Sequence, residues 1–432
     1  MAREMKNSGI EWIDEIPANW KVMPHKYIMH KQKDICEHYN GEDIISLTMG
    51  GVIVRDLTAG GKMPTTFDGY QYVEPEDLLM CLFDIDVTPR CVGVVRNYGL
   101  TSPAYSRFKV HNGYYNCYYD YLLRFIDDEK VFIHLSKNLR SSLTETDFGA
   151  IKTIVPPYEE QKRIADFLDR KCAEIDTVVE KTKATIEEYK KLKQSVITEA
   201  VTKGIRGNRP MKDSGVEWIG DIPAEWNIKR LKTMFGFGKG LPITKENLIE
   251  AGASVISYGQ IHSKTNTGID IKPDLIRFVS EDYLKTNPNS LVHFGDFVFA
   301  DTSEDLEGCG NNVYVGDERQ LFAGYHTITL CSYEKSDNSY LACLFKTDCW
   351  RSQIRAKASG VKLFSISKKI LSETSVLIPD EIERQEIVEY LNKKCAKFDK
   401  LIADKTHLLE EMESYKKSVI YEYVTGKKEV VL

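Results

Sequence analysis

The sequence lacks any apolar run approaching the ~20 residues that span a bilayer, and its start, MAREMKNSGIEW, lacks the hydrophobic core of a secretion signal. Membrane and secreted proteins are thereby set aside, and the cytoplasm is the expected location. Ten cysteines are scattered from Cys36 to Cys395 with no C-x-x-C pair and no histidine-rich partner segment. That argues against a zinc ribbon and for reduced, mostly buried thiols. A positive surplus is missing as well, since the formal net charge is -6. Phosphate contacts need Lys and Arg, so any nucleic-acid surface must be a local basic patch among acidic faces, felt over a screening length of roughly 10 Å.

Catalytic motifs are also absent. Phe235-Gly236-Phe237-Gly238 looks superficially like a glycine loop for S-adenosylmethionine, but Leu241-Pro242 follows where a helix would have to start. No Asn-Pro-Pro-aromatic motif accompanies it, and Asn287-Pro288-Asn289 reads as a turn. Thr425-Gly426-Lys427-Lys428 lacks the glycine and strand context of a P-loop. Asp84-x-Asp86 stands alone and the acids of 301–307 have no second ligand set, so both read as surface or turn carboxylates. The nine histidines lie singly. No catalytic residue, metal site or bound cofactor is expected.

What the chain does contain is itself, twice. MKNSGIEWIDEIPANW (5–20) returns as MKDSGVEWIGDIPAEW (211–226), and 156–202 aligns without a gap on 379–425, pairing Leu168 with Leu391 and Ser195-Val196-Ile197 with Ser418-Val419-Ile420. The regions between, 23–155 and 229–378, show no comparable similarity. A frame duplicated around two unlike inserts suggests one geometry used to recognise two different things. At 432 residues, two globular domains are in any case the default. The organisation read from the repeats is a first domain over 1–155, a helix over 156–202, a linker over 203–210, a second domain over 211–378, a second helix over 379–425 and a tail over 426–432.

The long repeated segments carry a heptad stripe. In the first copy it runs through Leu168, Cys172, Ile175, Val179, Thr182, Ile186, Tyr189, Val196 and Ala200; in the second through Leu391, Cys395, Phe398, Ile402, Leu409, Met412, Val419 and Tyr423. Lys193 and Lys416 interrupt it identically. Helices of about 40 residues, hence about 60 Å long, that share a stripe are expected to pair as an antiparallel coiled coil, with one domain at each end about a pseudo-twofold axis. The inserts mix strands (92–95, 108–110, 297–299, 313–315, 327–330) with helical stretches (119–126, 338–357), so the fold class is α+β.

Two stretches concentrate positive charge. Residues 350–372 hold Arg351, Arg355, Lys357, Lys362, Lys368 and Lys369 without an acid; residues 88–109 hold Arg90, Arg96, Arg107 and Lys109, also without an acid, among Tyr98 and Tyr105. Arg forks onto guanine edges and Tyr reaches phosphate or base, although a solvated surface is the commoner meaning of any one such run.

The frame SGxEWIxxIPxxW, the pattern PPxxEQxxIxxFLDxK at 156–171 and the helix-ending Ala200-Val201-Thr202-Lys203-Gly204 closely resemble type I restriction-modification specificity subunits. Gly238-Lys239-Gly240, Val255-Ile256-Ser257-Tyr258-Gly259 and Thr101-Ser102-Pro103-Ala104-Tyr105 are similar to recurring target-recognition segments, which adds Lys239 to the candidate DNA contacts. The resemblance implies a non-catalytic chain that binds double-stranded DNA, each domain reading one half of a bipartite asymmetric site and the helices acting as a ruler. It further implies assembly with two adenine-N6 methyltransferase subunits and with ATP-driven restriction subunits. Two other classes stay open on the residues alone: a coiled-coil adaptor that binds only proteins, and an autonomous DNA methyltransferase or nuclease.

Overall fold

Pro156 and Pro157 close an extended segment and open the helix Tyr158–Lys203, whose first turn carries Glu159 and Glu160 where the helix dipole favours negative charge. Its repeat, after Pro379, is Glu381–Val424. Each stops just short of a left-handed glycine, Gly204 at φ +76° and Gly426 at φ +73°, a conformation that L side chains resist. In the computed structural model, residues 3–58, 64–88, 90–136 and 141–430 are described, and the chain divides into two units. One comprises 1–183 with 406–432; the other comprises 184–405. Each long helix therefore gives its first half to one unit and its second half to the other.

The inserts, unlike in sequence, fold with the same strand pairing. In the first unit a four-stranded antiparallel sheet runs in the order Met29–Gln32, Ser106–Val110, Leu78–Met80, Val92–Val94. In the second the order is Phe235–Lys239, Thr327–Ser332, Phe297–Ala300, Asn312–Tyr314, the same succession of chain positions. A second sheet repeats too. Ile45–Thr48 pairs with Gly51–Val54, and Ile44 just before it bridges in parallel to Leu100 of the strand Gly99–Thr101, which pairs with Gln71–Val73. Its counterpart pairs Ala253–Ile256 with Arg277–Val279 and, in parallel, with Leu321–Ala323, which pairs with Leu291–Val292.

Burial on both faces accounts for the continuous apolar runs. Leu78 and Met80 pack with Tyr119 and Leu122 of the helix Asn116–Asp128, whereas Leu79 between them joins Ile45 and Val73 of the other sheet, and Val95. Phe297 and Phe299 likewise pack with Phe345 and Trp350, while Val298 faces Ile256 and Val313. The helix expected over 338–357 is two helices, Ser339–Phe345 and Asp348–Arg355. Thr347 breaks it, because its side chain caps the second helix by accepting from the Trp350 N–H at 3.3 Å.

The duplicated frame repeats its contacts atom for atom. Trp20 and Trp226 are both fully buried, and their Nε1 donates to Glu160 at 3.0 Å and to Glu383 at 2.9 Å. Arg3 and Arg209 pair with those carboxylates at 2.7 and 2.6 Å and lie over the same indoles. Tyr118 donates to the carbonyl of Val424, and Tyr340 to that of Val201, equivalent positions near the ends of the two long helices. Within the first unit the helices are antiparallel, with Phe167 against Tyr423 and Lys416 on Asp176 at 2.6 Å. The second unit repeats the ion pair with Lys193 on Asp399, and just beyond the helix end Arg206 pairs with Glu386. Along the stripe, Leu168, Ile175, Val179, Ile186, Leu391 and Val419 are buried, and Tyr189, Val196, Phe398, Ile402, Leu409 and Met412 are half-buried.

Candidate nucleic-acid interface

The ten residues singled out for DNA contact separate into three groups. Arg107 belongs to the interior, and Arg351 is half-buried and tied to neighbouring loops. Arg107 is 3% exposed; its Nε meets Asp77 at 2.5 Å, Nη2 meets Glu74 at 3.2 Å, and Nη1 donates to the Tyr72 carbonyl. Burial raises the Asp77 pKa despite the arginine beside it, so this pair is held by geometry within the sheet. Arg351 donates to the Phe345 carbonyl at 2.8 Å and to Asn311 Oδ1 at 2.7 Å, and burial pushes its pKa down to about 10. The Arg107 guanidinium is thus closed off from a phosphate, while that of Arg351 is held in place through Nε and Nη1.

A second group is anchored but partly open. Arg90 donates from Nε to the Val92 carbonyl and from Nη1 to the Met49 carbonyl. Arg355 pairs with Asp348 at 2.8 Å, Lys109 with Glu74 at 3.2 Å and Lys357 with Glu373 at 3.5 Å. Tyr105 is half-buried, packed 6.5 Å from Phe83. Arg96, Lys239 and Lys362 form the last group: exposed and without an ion pair among the described residues. Lys239 lies at the end of an edge strand, and Lys362 stands between Val361, 92% exposed, and Leu363.

Each unit carries a concavity at the same topological place, between the loop joining the third and fourth strands of its four-stranded sheet and the end of the parallel-bridged strand of its second sheet. In the first unit the loop is 81–91 and the cavity, about 330 Å³, is lined by Met49, Phe83, Val87, Arg90 and Tyr105. In the second the loop is 301–311 and the cavity, about 520 Å³, is lined by Tyr258, His262, Glu304, Asp305 and Asn311. Both loops are pinned. The Asp84 backbone carbonyl accepts from the N–H and hydroxyl of Thr88, and the Asp127 carboxylate takes the Cys91 N–H at 2.7 Å. Asp305 accepts from the Gly308 N–H, and Asn311 is clamped between Arg351 and His262. Of the acids read in the sequence as turn carboxylates, Asp305 fixes its loop through its side chain and Asp84 through its backbone carbonyl. Tyr258 lies in a segment the sequence singled out, whereas Met49, Phe83, Val87 and His262 escaped sequence reasoning because no periodicity marks them; only the matched strand order brings the two sets into correspondence.

Among the described residues no group of three or more His, Cys, Asp or Glu could hold a metal, and no helix is long and apolar enough to cross a membrane.

Comparison with known proteins agrees with the duplicated architecture. The family model of the type I restriction modification DNA specificity domain matches residues 223–413. The type I restriction enzyme MjaVIII specificity subunit of Methanocaldococcus jannaschii is 25% identical over 290 residues, 65% of this chain and 63% of that subunit, so the chain spans less than two thirds of that relative's length. A solved chain described under complex assembly and conformational transition of the type I R-M system superposes over 96% of this chain and 99% of its own, with a TM-score of 0.70 at 14% identity. The HsdS subunit from Thermoanaerobacter tengcongensis covers 96% and 98%, with a TM-score of 0.52 at 14% identity, and shares the fold. With its twice-repeated frame, its two α+β units and its antiparallel long helices, the chain is similar to type I restriction-modification specificity subunits, and residues 223–413 match the model of their DNA specificity domain.

Proposed function

We propose that this chain reads double-stranded DNA in two halves and lends that choice to other subunits, doing no chemistry and binding no cofactor of its own. One observation carries the reading: two units with the same strand pairing, on frames repeated contact for contact, present unlike side chains at the same two loops. A duplicated scaffold with divergent tips is what recognition of two different half-sites requires. The frame itself supports the partner assignment, because a surface present twice binds the same partner twice; two adenine-N6 methyltransferase subunits fit that demand, with ATP-driven restriction subunits joining the larger complex. The long helices set the unspecified spacer between the half-sites. Ten free thiols suit a reducing cytoplasm.

The test replaces residues 23–155 with the matching segment of another specificity subunit and maps methylated adenines in cells that also express the modification subunit. One half-site changes and the other stays as it was. A change in both halves would show that the units do not read independently, and methylation by the purified chain alone would overturn the non-catalytic assignment.

A further inference from the structure

We propose that the two equivalent loop cavities are where the two half-sites are told apart, the first selecting a base edge that offers acceptors or a methyl group and the second an edge that offers an exocyclic amino group. This rests on the DNA-reading function proposed above and assigns it to particular side chains. The places correspond strand for strand, yet their linings are chemically opposed. Met49, 69% exposed, and Val87, 73% exposed, stand at the rim of the first cavity with Arg90 between their loops. With Phe83, 37% exposed, they line one cavity and offer a contiguous apolar surface to a contact. The thymine methyl supplies such a contact in the major groove.

Arg90 has the complementary polar role. Its Nε and Nη1 hold the carbonyls of Val92 and Met49, which fixes the guanidinium plane, while Nη2 has no partner among the described residues. A fixed fork with free N–H groups matches the O6 and N7 acceptors of guanine. In the second cavity the donors are replaced by acceptors. Glu304 and Asp305 are exposed beside Tyr258 and His262, and the ring nitrogens of His262 are already engaged by the Thr302 carbonyl and by Asn311. Carboxylates brought to a base edge gain a hydrogen bond from cytosine N4 or adenine N6. Against guanine O6 or thymine O4 they meet a second acceptor and are repelled. Next to phosphates their charge is unfavourable unless such a donor is present, so they act chiefly by rejecting the wrong base.

The experiment expresses the full chain with its modification subunit and reads the methylome by single-molecule sequencing. One variant carries Met49→Ala with Val87→Ser, a second Arg90→Gln, and a third Glu304→Gln with Asp305→Asn. The first two are expected to relax one base position of one half-site, and the third one position of the other half-site, each by about 10- to 100-fold in discrimination. Unchanged specificity in the first and third variants, while the wild type keeps its site, overturns this assignment and leaves the DNA-reading function standing. Absence of sequence-dependent methylation by the wild type overturns that function itself. Because Arg90 also holds two loop carbonyls, an unfolded Arg90→Gln passes the decision to Met49→Ala with Val87→Ser, whose side chains hold no hydrogen bond.

Discussion

At the scale of single residues, the repeat acts as an internal control, since each frame side chain has a counterpart in the same surroundings. His25 and Leu231 open equivalent short turns after the frame hairpins, and both are fully buried. His25 lies 4.6 Å from the Phe148 ring, and burial, opposed only by the nearby Phe148 backbone, pushes its pKa down to about 4. The sign follows directly. A folded pKa below the unfolded value of about 6.5 means the unfolded chain takes up the proton first, so stability is full above pH 6.5 and falls as the pH drops toward 4. Replacing His25→Leu should remove that loss. Denaturant unfolding at pH 7.5 and 4.5 is expected to show an acid destabilisation smaller by about 2 to 3 kcal/mol in the variant. An equal loss in both proteins would mean that other groups dominate. The same scale shows where sequence reading stops: Arg107 and Arg351 sit in acid-free runs, but a run reports neighbours along the chain, whereas Asp77 and Asn311 reach them across the sheet and loops.

At the scale of elements, the heptad stripe and the repeated ends of the long helices were legible because a 3,4 spacing sustained over more than forty residues rarely arises by chance. The lysines interrupting the stripe were visible, but their partners were not. Lys193 and Lys416 are equivalent positions, and each reaches across to an equivalent aspartate, Asp399 and Asp176. A lysine at such a position reduces apolar packing but fixes the register of the antiparallel pair. Asp176→Lys should therefore set two cations against each other, and adding Lys416→Asp should restore the pair. A thermodynamic cycle on these variants is expected to give a coupling of about 0.5 to 1 kcal/mol, the scale of a partly exposed pair. A coupling of zero would reduce the lysines to solvated interruptions. The shared sheet order of the inserts was not legible, since strand pairing depends on which residues face a core, and Phe297-Val298-Phe299 satisfies the same demand as Leu78-Leu79-Met80 with different side chains.

At the scale of the whole molecule, the division of each long helix between two units sets what a shorter gene could make. The first unit is completed by residues 406–432, whose Val419, Ile420 and Val424 lie in its core and whose Val424 carbonyl receives the Tyr118 hydroxyl. Residues 184–203 are the matching piece, with Val201 receiving Tyr340. A product stopping after Lys203 would hold one frame, one insert and a spare helix end that fits a vacancy in a second copy of itself. Sedimentation should find it as a dimer, and the methylome it directs should consist of the same half-site used twice; a folded monomer would contradict this. Duplication followed by divergence of one insert would then be enough to turn a reader of repeated words into a reader of two different ones, and the present chain has the arrangement such a history would leave.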